Sequence, residues 1–388
     1  MTVRRNWRLS TVVLTALVGM LLLPLPATAM SVSPARTQAT GLRDLGTLGG
    51  LNSQGEDINA RGQVTGVADT AGGSPHAFMW TASGNMQDLG TLGGADSRGV
   101  AINELGQVIG ESSTGVNGER HGFVWTASGG MQDLGTLGGC CSVPVAISER
   151  GQVTGYSNLP NDVGIHAFLW TPAGGIRDLG TLGGPISAAT GINLLGQVVG
   201  VSSTAEGSTH AFRWTASGGM QDLGTLGGAN SFAPRINELG QIVGSSETAD
   251  GSHHAFRWTP SGGMRDLGPF VPAAINALGQ IAGTAIAANG AQHAFRWTAS
   301  GGWQDLGTLG GENSAATGIN DLGQVIGQAQ TSSGSRHAFR WAPSSGMRDL
   351  DPLFTRSSGA SAINIRGQVT GQFSATAWPN PHAFFWSP

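Results

Sequence analysis

The chain has 388 residues, 64 of them Gly, and a formal net charge of −4. All 20 basic residues are Arg, which excludes a Schiff-base or phosphate-loop lysine, and the glycines follow no Gly-X-Y period, which excludes collagen. The acidic balance argues against nucleic acid and against anionic membranes, both of which want a basic patch.

In chain order the first element is a leader, residues 1–29. Arg4, Arg5 and Arg8 form a basic region, Thr11 to Leu25 an apolar one, and Ala27-Thr28-Ala29 a small-residue cleavage site. The apolar run is shorter than the ~20 residues that span a bilayer. The spacing therefore predicts a secreted, extracellular protein starting at Met30, with no membrane insertion once the leader is gone. Arg4-Arg5 lacks the usual neighbours of a twin-arginine signal, so ordinary export is expected. Loss of Arg4, Arg5 and Arg8 takes the net charge to −7. Residues 30–42 read as a linker and 43–388 as one domain.

That domain repeats one sentence. The aspartates of its Asp-Leu pairs, Asp44, Asp88, Asp133, Asp178, Asp222, Asp266, Asp305 and Asp349, step by 44 or 45 residues with a single 39. Histidines His76, His121, His166, His210, His254, His293, His337 and His382 keep the same beat, each opening a His-Ala-Phe-x-Trp run or a variant of it that ends at Trp80, Trp125, Trp170, Trp214, Trp258, Trp297, Trp341 or Trp386. Such a period marks stacked supersecondary units, none of which buries its apolar face alone. Within a unit, Ala101-Ile102-Asn103, Gln107-Val108-Ile109-Gly110, His121-Gly122-Phe123-Val124-Trp125 and Met131-Gln132-Asp133-Leu134 are apolar runs bounded by Gly, Ser and Asn. That is strand chemistry, with no sustained helical period.

The expected fold is therefore an all-β, eight-bladed β-propeller with four-stranded blades. The last unit stops at Trp386 without an Asp-Leu strand, while Asp44-Leu45 stands alone ahead of the first unit. The N-terminal strand is expected to complete the last blade, which leaves no unpaired edge. Strand alternation puts His210, Phe212 and Trp214 on one face and Ala211 and Arg213 on the other. Phe and Trp then pack between blades. One histidine per blade cannot converge on a metal ion, so each His is expected to bond the Asp twelve residues later; no metal or cofactor is expected.

Repeated His-Ala-Phe-x-Trp with Gly-Gln-Val-x-Gly and Asp-Leu-Gly-Thr-Leu-Gly-Gly resembles the HAF-family extracellular repeat of bacteria, over residues 43–386. The resemblance implies a secreted or surface repeat protein and supplies no catalytic residue. Some members of that family look as if they carry a C-terminal sorting segment; Phe384-Phe385-Trp386-Ser387-Pro388 does not resemble one, so release is expected.

Loops sort to two ends of the blades. The Asn-x-x-Gly and Ser-Gly-Gly turns are uniform and read as scaffold. The opposite end varies, and variable loops on rigid scaffolds carry binding residues. Asp162, Glu206, Glu247 and Asp250 lie there, and two altered connections are expected to bring Phe270, Phe354 and Trp378 to the same face. Aromatics beside carboxylates suit sugar rings. Arg213, Arg257, Arg296 and Arg340 occupy the x of four consecutive His-Ala-Phe-x-Trp runs; they are expected to make inter-blade salt bridges or to be solvated stems, or else to hold an anionic polymer. Cys140 and Cys141, the only cysteines, read as a loop pair. No nucleophile elbow, zinc motif or calcium loop occurs, so no catalytic residue is assigned. The sequence thus points to a monomeric binding module for an extracellular glycan or surface protein. A polysaccharide hydrolase or lyase, and a purely structural surface protein, are the alternatives.

Overall fold

The computed structural model describes residues 41–115, 118–351, 357–374 and 380–388. The leader and most of the linker, together with Phe354 and Trp378, lie outside the described residues. The described chain is all-β apart from one 3-10 turn, Pro160–Asp162. Strands follow the repeat: in the fourth copy they are Gly183–Ile192, Val198–Thr204, Thr209–Thr215 and Gly219–Asp222, antiparallel and paired in chain order. Six copies form separate four-stranded sheets, and the seventh and eighth are joined in an eight-stranded sheet by one parallel pair, Arg336 with Ser357.

Leu42–Asp44 supplies the outer strand of the last copy. Leu42 pairs with Trp386, Arg43 with Phe385 and Asp44 with Phe384, all antiparallel.

Each sheet has two apolar faces because each packs against two neighbours. In the third strand of the fourth copy, Phe212 and Trp214 bury against Ala167, Leu169 and Leu179 of the third copy. Ala211, on the other face, buries with Phe256 and Trp258 of the fifth. The same contact joins last copy to first: Ala383 and Phe385 pack with Ile58, Phe78 and Trp80. Full burial of one such aromatic contributes about 1.5–3 kcal/mol, and the repeat supplies it at every interface. Gly200, the last residue of Gly-Gln-Val-x-Gly, is needed because a Cβ there would overlap the Ala188 carbonyl and press on the Phe212 ring.

A second set of contacts between copies is polar. Asn59 Nδ2 donates to Asn103 O (3.0 Å), and Asn103 to Ser148 O (3.1 Å). Asn193, Asn237, Asn276 and Asn320 each donate likewise to the next copy, and Asn364 returns to Asn59 O at 2.8 Å. Each of these side chains also bonds its own Asn-x-x-Gly-Gln turn, donating to the Gln Oε1 and accepting backbone N–H groups, as Asn320 does with Gln324 and Leu322. The turn glycine lies over the preceding copy's Gln. Gly323 has φ +71, and a Cβ there would sit 2.7 Å from Gln280 Oε1, so only Gly fits.

Candidate functional site

The third strand begins at the variable loop end with His and finishes at the turn end with Trp. Each His bonds the Asp of the adjoining outer strand through Nδ1, at distances such as 2.9 Å for His76–Asp88, 2.7 Å for His121–Asp133 and 2.8 Å for His210–Asp222. The pairs His166–Asp178, His254–Asp266, His293–Asp305 and His337–Asp349 repeat it, and His382 meets Asp44 at 3.0 Å across the chain ends. The Asp carboxylate also accepts the N–H of the following glycine, as Asp222 does from Gly224. Both groups are thus used by the scaffold. Among the described residues no group of three His, Cys, Asp or Glu could hold a metal ion.

The loop-end carboxylates act on the loops themselves. Glu247 accepts Asn230 Nδ2 (3.0 Å) and Ala229 N–H (3.1 Å), and the Asn230 bond foremost holds its pKa below the usual range. Asp250 accepts from Thr248 Oγ1 and Ser252 N–H, which draws it down to about 2. Asp162 accepts Cys140 N–H at 3.2 Å, and Glu206 stands exposed. A general acid needs the opposite shift. Glu111 does have a raised pKa, through burial, but the neighbouring Asp96 is engaged by Arg120 at 2.5 Å. Cys140 is a thiol pushed up to about 12, chiefly by its bond with Cys141, and is therefore a poor nucleophile.

Phe270 is not on the loop surface. It is 6% exposed and packs edge-on against Trp303, their ring centroids 3.6 Å apart. The shortened connection makes Phe270 the first residue of its strand, Phe270–Ile275, in the slot held by a buried Ser in the other copies. Ser97 shows that slot's ordinary role, accepting Ala77 N–H and donating to Gly90 O. Phe fills the same gap with apolar surface, completed by Trp303 where other copies have Met or Ile. A cleft of about 150 Å³ at the loop end, lined by Gln328, Ser357, Gln372, Phe373 and Pro381 among others, falls short of the roughly 300–1,000 Å³ of a small-molecule site.

The turn end differs from its sequence reading. Arg213, Arg296 and Arg340 make no salt bridge among the described residues. Their guanidinium carbons lie 5.7, 5.6 and 5.6 Å from the ring centres of Trp258, Trp341 and Trp386, each on the following copy. Arg177 over Trp214, Arg43 over Trp80 and Arg348 over Trp386 do the same from the outer strand. Cation–π stacking replaces the expected ion pairs because the facing residue is the neighbour's Trp, with no carboxylate in reach. The Nε atoms of Arg213, Arg257, Arg296 and Arg340 are buried without a hydrogen-bond partner. Their guanidinium groups reach the next copy's turn: a Cβ on Gly323 would come within 2.8 Å of Arg296 Nη2, and one on Gly367 within 3.0 Å of Arg340 Nη2.

Charge is thereby segregated. Arg61, Arg150 and Arg366 in the turns, Arg43, Arg177, Arg265 and Arg348 on outer strands, Arg213, Arg257, Arg296 and Arg340 on third strands, and Arg235 on a first strand all lie toward the turn end. They outnumber two to one the carboxylates there, Glu56, Asp57, Glu104, Glu149, Glu238 and Asp321. The remaining carboxylates crowd the loop end, against Arg120 and Arg336, while Arg98 pairs with Glu56 between the two ends. Four of the turn-end acids are tied to a neighbour's backbone: Glu104 accepts Ala60 N–H, Glu149 Glu104 N–H, Glu238 Leu194 N–H and Asp321 Ala277 N–H, each at 2.8 Å. Leu105, Leu195, Leu239, Leu278 and Leu322 project from the tips of the same turns at 58–68% exposure. The net charge of the whole chain hides this basic, apolar end. Turn spacing alone did contain the signal, since the third residue of Asn-x-x-Gly is Leu in five copies.

Asp57 gives this end a pH signature. Burial raises its pKa to about 6, against the bonds it accepts from Ile102 and Ile58 N–H, with help from Glu104 and Glu56. A carboxyl raised from 3.8 gives stability that is complete below pH 4 and lost as pH rises through 6, on the order of 3 kcal/mol. Asp57→Ala, the residue found at Ala101, Ala146, Ala274 and Ala362, should flatten that fall in urea titrations between pH 4 and 7. An unchanged slope would assign the fall elsewhere.

No family model matches the chain, and no curated protein does. Among solved structures it is similar to Porphyromonas gingivalis dipeptidyl peptidase 4 (10% identity, TM-score 0.57, covering 91% of this chain and 59% of that one). It is similar to the β-propeller domain of the Trilobed protease from Pyrococcus furiosus, described as having an open velcro topology (10% identity, TM-score 0.51, 79% and 98%). A puromycin hydrolase matches with 16% identity and TM-score 0.50, over 91% of this chain and 61% of that one. The chain thus spans about three fifths of the two hydrolases it matches. At these identities the likeness carries the fold alone, and the fold is that of a β-propeller.

Proposed function

We propose that the chain is an exported, closed eight-bladed propeller of the HAF-repeat kind that acts as a non-catalytic, monomeric binding module, and that it holds an extracellular polyanion at its turn end. Return of the asparagine bonds from Asn364 to Asn59, and the pairing of Leu42–Asp44 with His382–Trp386, support eight blades with a strand-swapped closure. The single observation that carries the binding reading is the arc of Arg213, Arg257, Arg296 and Arg340. Arg213, Arg296 and Arg340 are fixed on aromatic faces, and none of the four has a carboxylate partner among the described residues. Guanidinium groups presented this way match carboxylate, sulfate or phosphate groups spaced along a polymer or surface. The hydrolase or lyase alternative rests on loop carboxylates of which Asp162, Glu247 and Asp250 are spent as hydrogen-bond acceptors.

The test is retention of purified residues 30–388 on immobilised dextran sulfate and polygalacturonate, with neutral dextran as control and released reducing sugar scored throughout. Salt-sensitive retention on the charged polymers without product is expected. The variant Arg213→Gln/Arg296→Gln/Arg340→Gln should bind at least about tenfold more weakly, each lost charge near a polyanion being worth about 1 kcal/mol. Equal retention on neutral dextran, or an unaffected variant, would overturn the assignment.

A further inference from the structure

Resting on that reading, the turn end carries a second feature that a soluble polymer does not need. Leu195, Leu239, Leu278 and Leu322 stand at the tips of four successive turns, exposed by 64, 64, 68 and 58%. Leu105 adds a tip at 60%, and Ile365, on the adjoining position of the last turn, is 42% exposed. The turns beneath them are tied down: each Asn donates to the next copy's backbone and to the Gln of its own turn, and each Gly lies over the preceding copy's Gln.

Next to the tips sit the arginines. A Cβ on Gly279, beside Leu278, would lie 3.6 Å from Arg257 Nη2; on Gly323, beside Leu322, 2.8 Å from Arg296 Nη2; on Gly367, two residues beyond Ile365, 3.0 Å from Arg340 Nη2. Exposed apolar tip and guanidinium therefore recur as a couple around one end of the molecule. A row of lone leucines gains nothing from a hydrated chain of sugars. It gains at an interface where hydrocarbon lies just below a layer of negative charge.

We infer that the turn end docks on the surface of an anionic phospholipid bilayer, with Leu195, Leu239, Leu278 and Leu322 entering the headgroup–acyl boundary and Arg257, Arg296 and Arg340 meeting the lipid phosphates. Docking is peripheral: no helix among the described residues is long and apolar enough to cross a membrane, and only the turn tips enter. Glu104, Glu149, Glu238 and Asp321 belong to the same turns, but each carboxylate is turned to a neighbouring backbone N–H. The opposite, acid-rich loop end is left facing away from the bilayer.

Flotation with phosphatidylcholine vesicles, with and without phosphatidylglycerol, tests this on residues 30–388. The protein should float with the anionic vesicles and stay behind with the neutral ones. Leu239→Gln/Leu278→Gln/Leu322→Gln, which alters only exposed tips and no charge, should lose about tenfold in vesicle affinity while keeping its retention on dextran sulfate. The arginine variant above should lose both. Retention on dextran sulfate with no flotation would overturn membrane docking and leave the polyanion reading standing; absence of both would remove the two together. Equal flotation with neutral vesicles, or a leucine variant that floats like the parent, would also overturn it.

Discussion

A chain begun at Gly46 should lose several kcal/mol of stability and self-associate. The deletion removes Leu42 and Leu45, 2% and 7% exposed, which pack against the last and first copies respectively. Truncating one buried Leu to Ala typically costs about 2–5 kcal/mol, and here two are lost whole. The ladder from Leu42–Asp44 to His382–Trp386 goes with them, as does the Leu45 N–H bond to Ala383 O. Against a usual margin of about 5–15 kcal/mol, this is a large fraction. What remains is an open strand edge at His382–Trp386, bearing Phe384 and Trp386 and free to pair with another molecule. A lowered urea midpoint by tryptophan fluorescence and higher species on a sizing column are expected. Asp44→Ala, which removes the carboxylate that meets His382 and accepts Gly46 N–H but keeps the strand, should cost about 1 kcal/mol and leave a monomer. If the shortened chain unfolds at the parent midpoint and stays monomeric, the N-terminal strand does not close the fold.

Much of this architecture was legible because the repeat is read eight times. A single His-Ala-Phe-x-Trp run could be any half-buried strand. Eight of them, with an orphan Asp-Leu at one end and a missing one at the other, point to the pairing of chain ends that the structure shows between Asp44 and Phe384. The twelve-residue spacing of His and Asp pointed to their bond for the same reason: registers repeat when lengths do. Phe270 was misplaced because burial is decided by the slot, and a changed connection length moved Phe270 into the Ser slot between two sheets. No local pattern announces that. The expected salt bridges of the arginines did not form for a related reason, since what faces Arg213 is a residue 45 positions later, Trp258, and alternation gives the face of a strand without its neighbour.

The basic, apolar character of the turn end was hidden by two averages. Uniform turns look like scaffold, and uniform turns are also how a repeat protein builds a continuous surface: one exposed Leu means little, but the same tip repeated on consecutive copies makes a patch. Net charge concealed the other half, because eight of the carboxylates sit in His–Asp pairs toward the loop end and offset arginines at the turn end only in the sum. A sequence folded by its own period, with residues assigned to the two blade ends before charges are counted, would have revealed both.

The asparagine bonds make the sharpest test of how the copies hold together, because the chain contains its own natural variant. Asn364, 5% exposed, donates to Asn59 O (2.8 Å) and Gln368 Oε1 (2.7 Å) and accepts Arg366 and Gln368 N–H (3.0 Å each). Asn364→Ala removes all four bonds and strands buried partners, so a loss of about 3–5 kcal/mol in urea unfolding is expected. Asn364→Ser should cost about half as much, since Ser148 in the third copy still accepts Arg150 and Gln152 N–H through its hydroxyl (3.3 and 3.2 Å). What Ser148 lacks is the amide donor, and the consequence is visible: Gln152 Oε1 is buried with no hydrogen-bond partner. Ser148→Asn would supply that oxygen with a donor and offer a second N–H to Asn193 O, completing the only copy without the link. A gain of about 1–3 kcal/mol should follow. Because buried substitutions usually destabilise, a rise in midpoint at this one position would be hard to explain any other way, and a fall would mean that the bonds observed between the other copies are incidental to their stability.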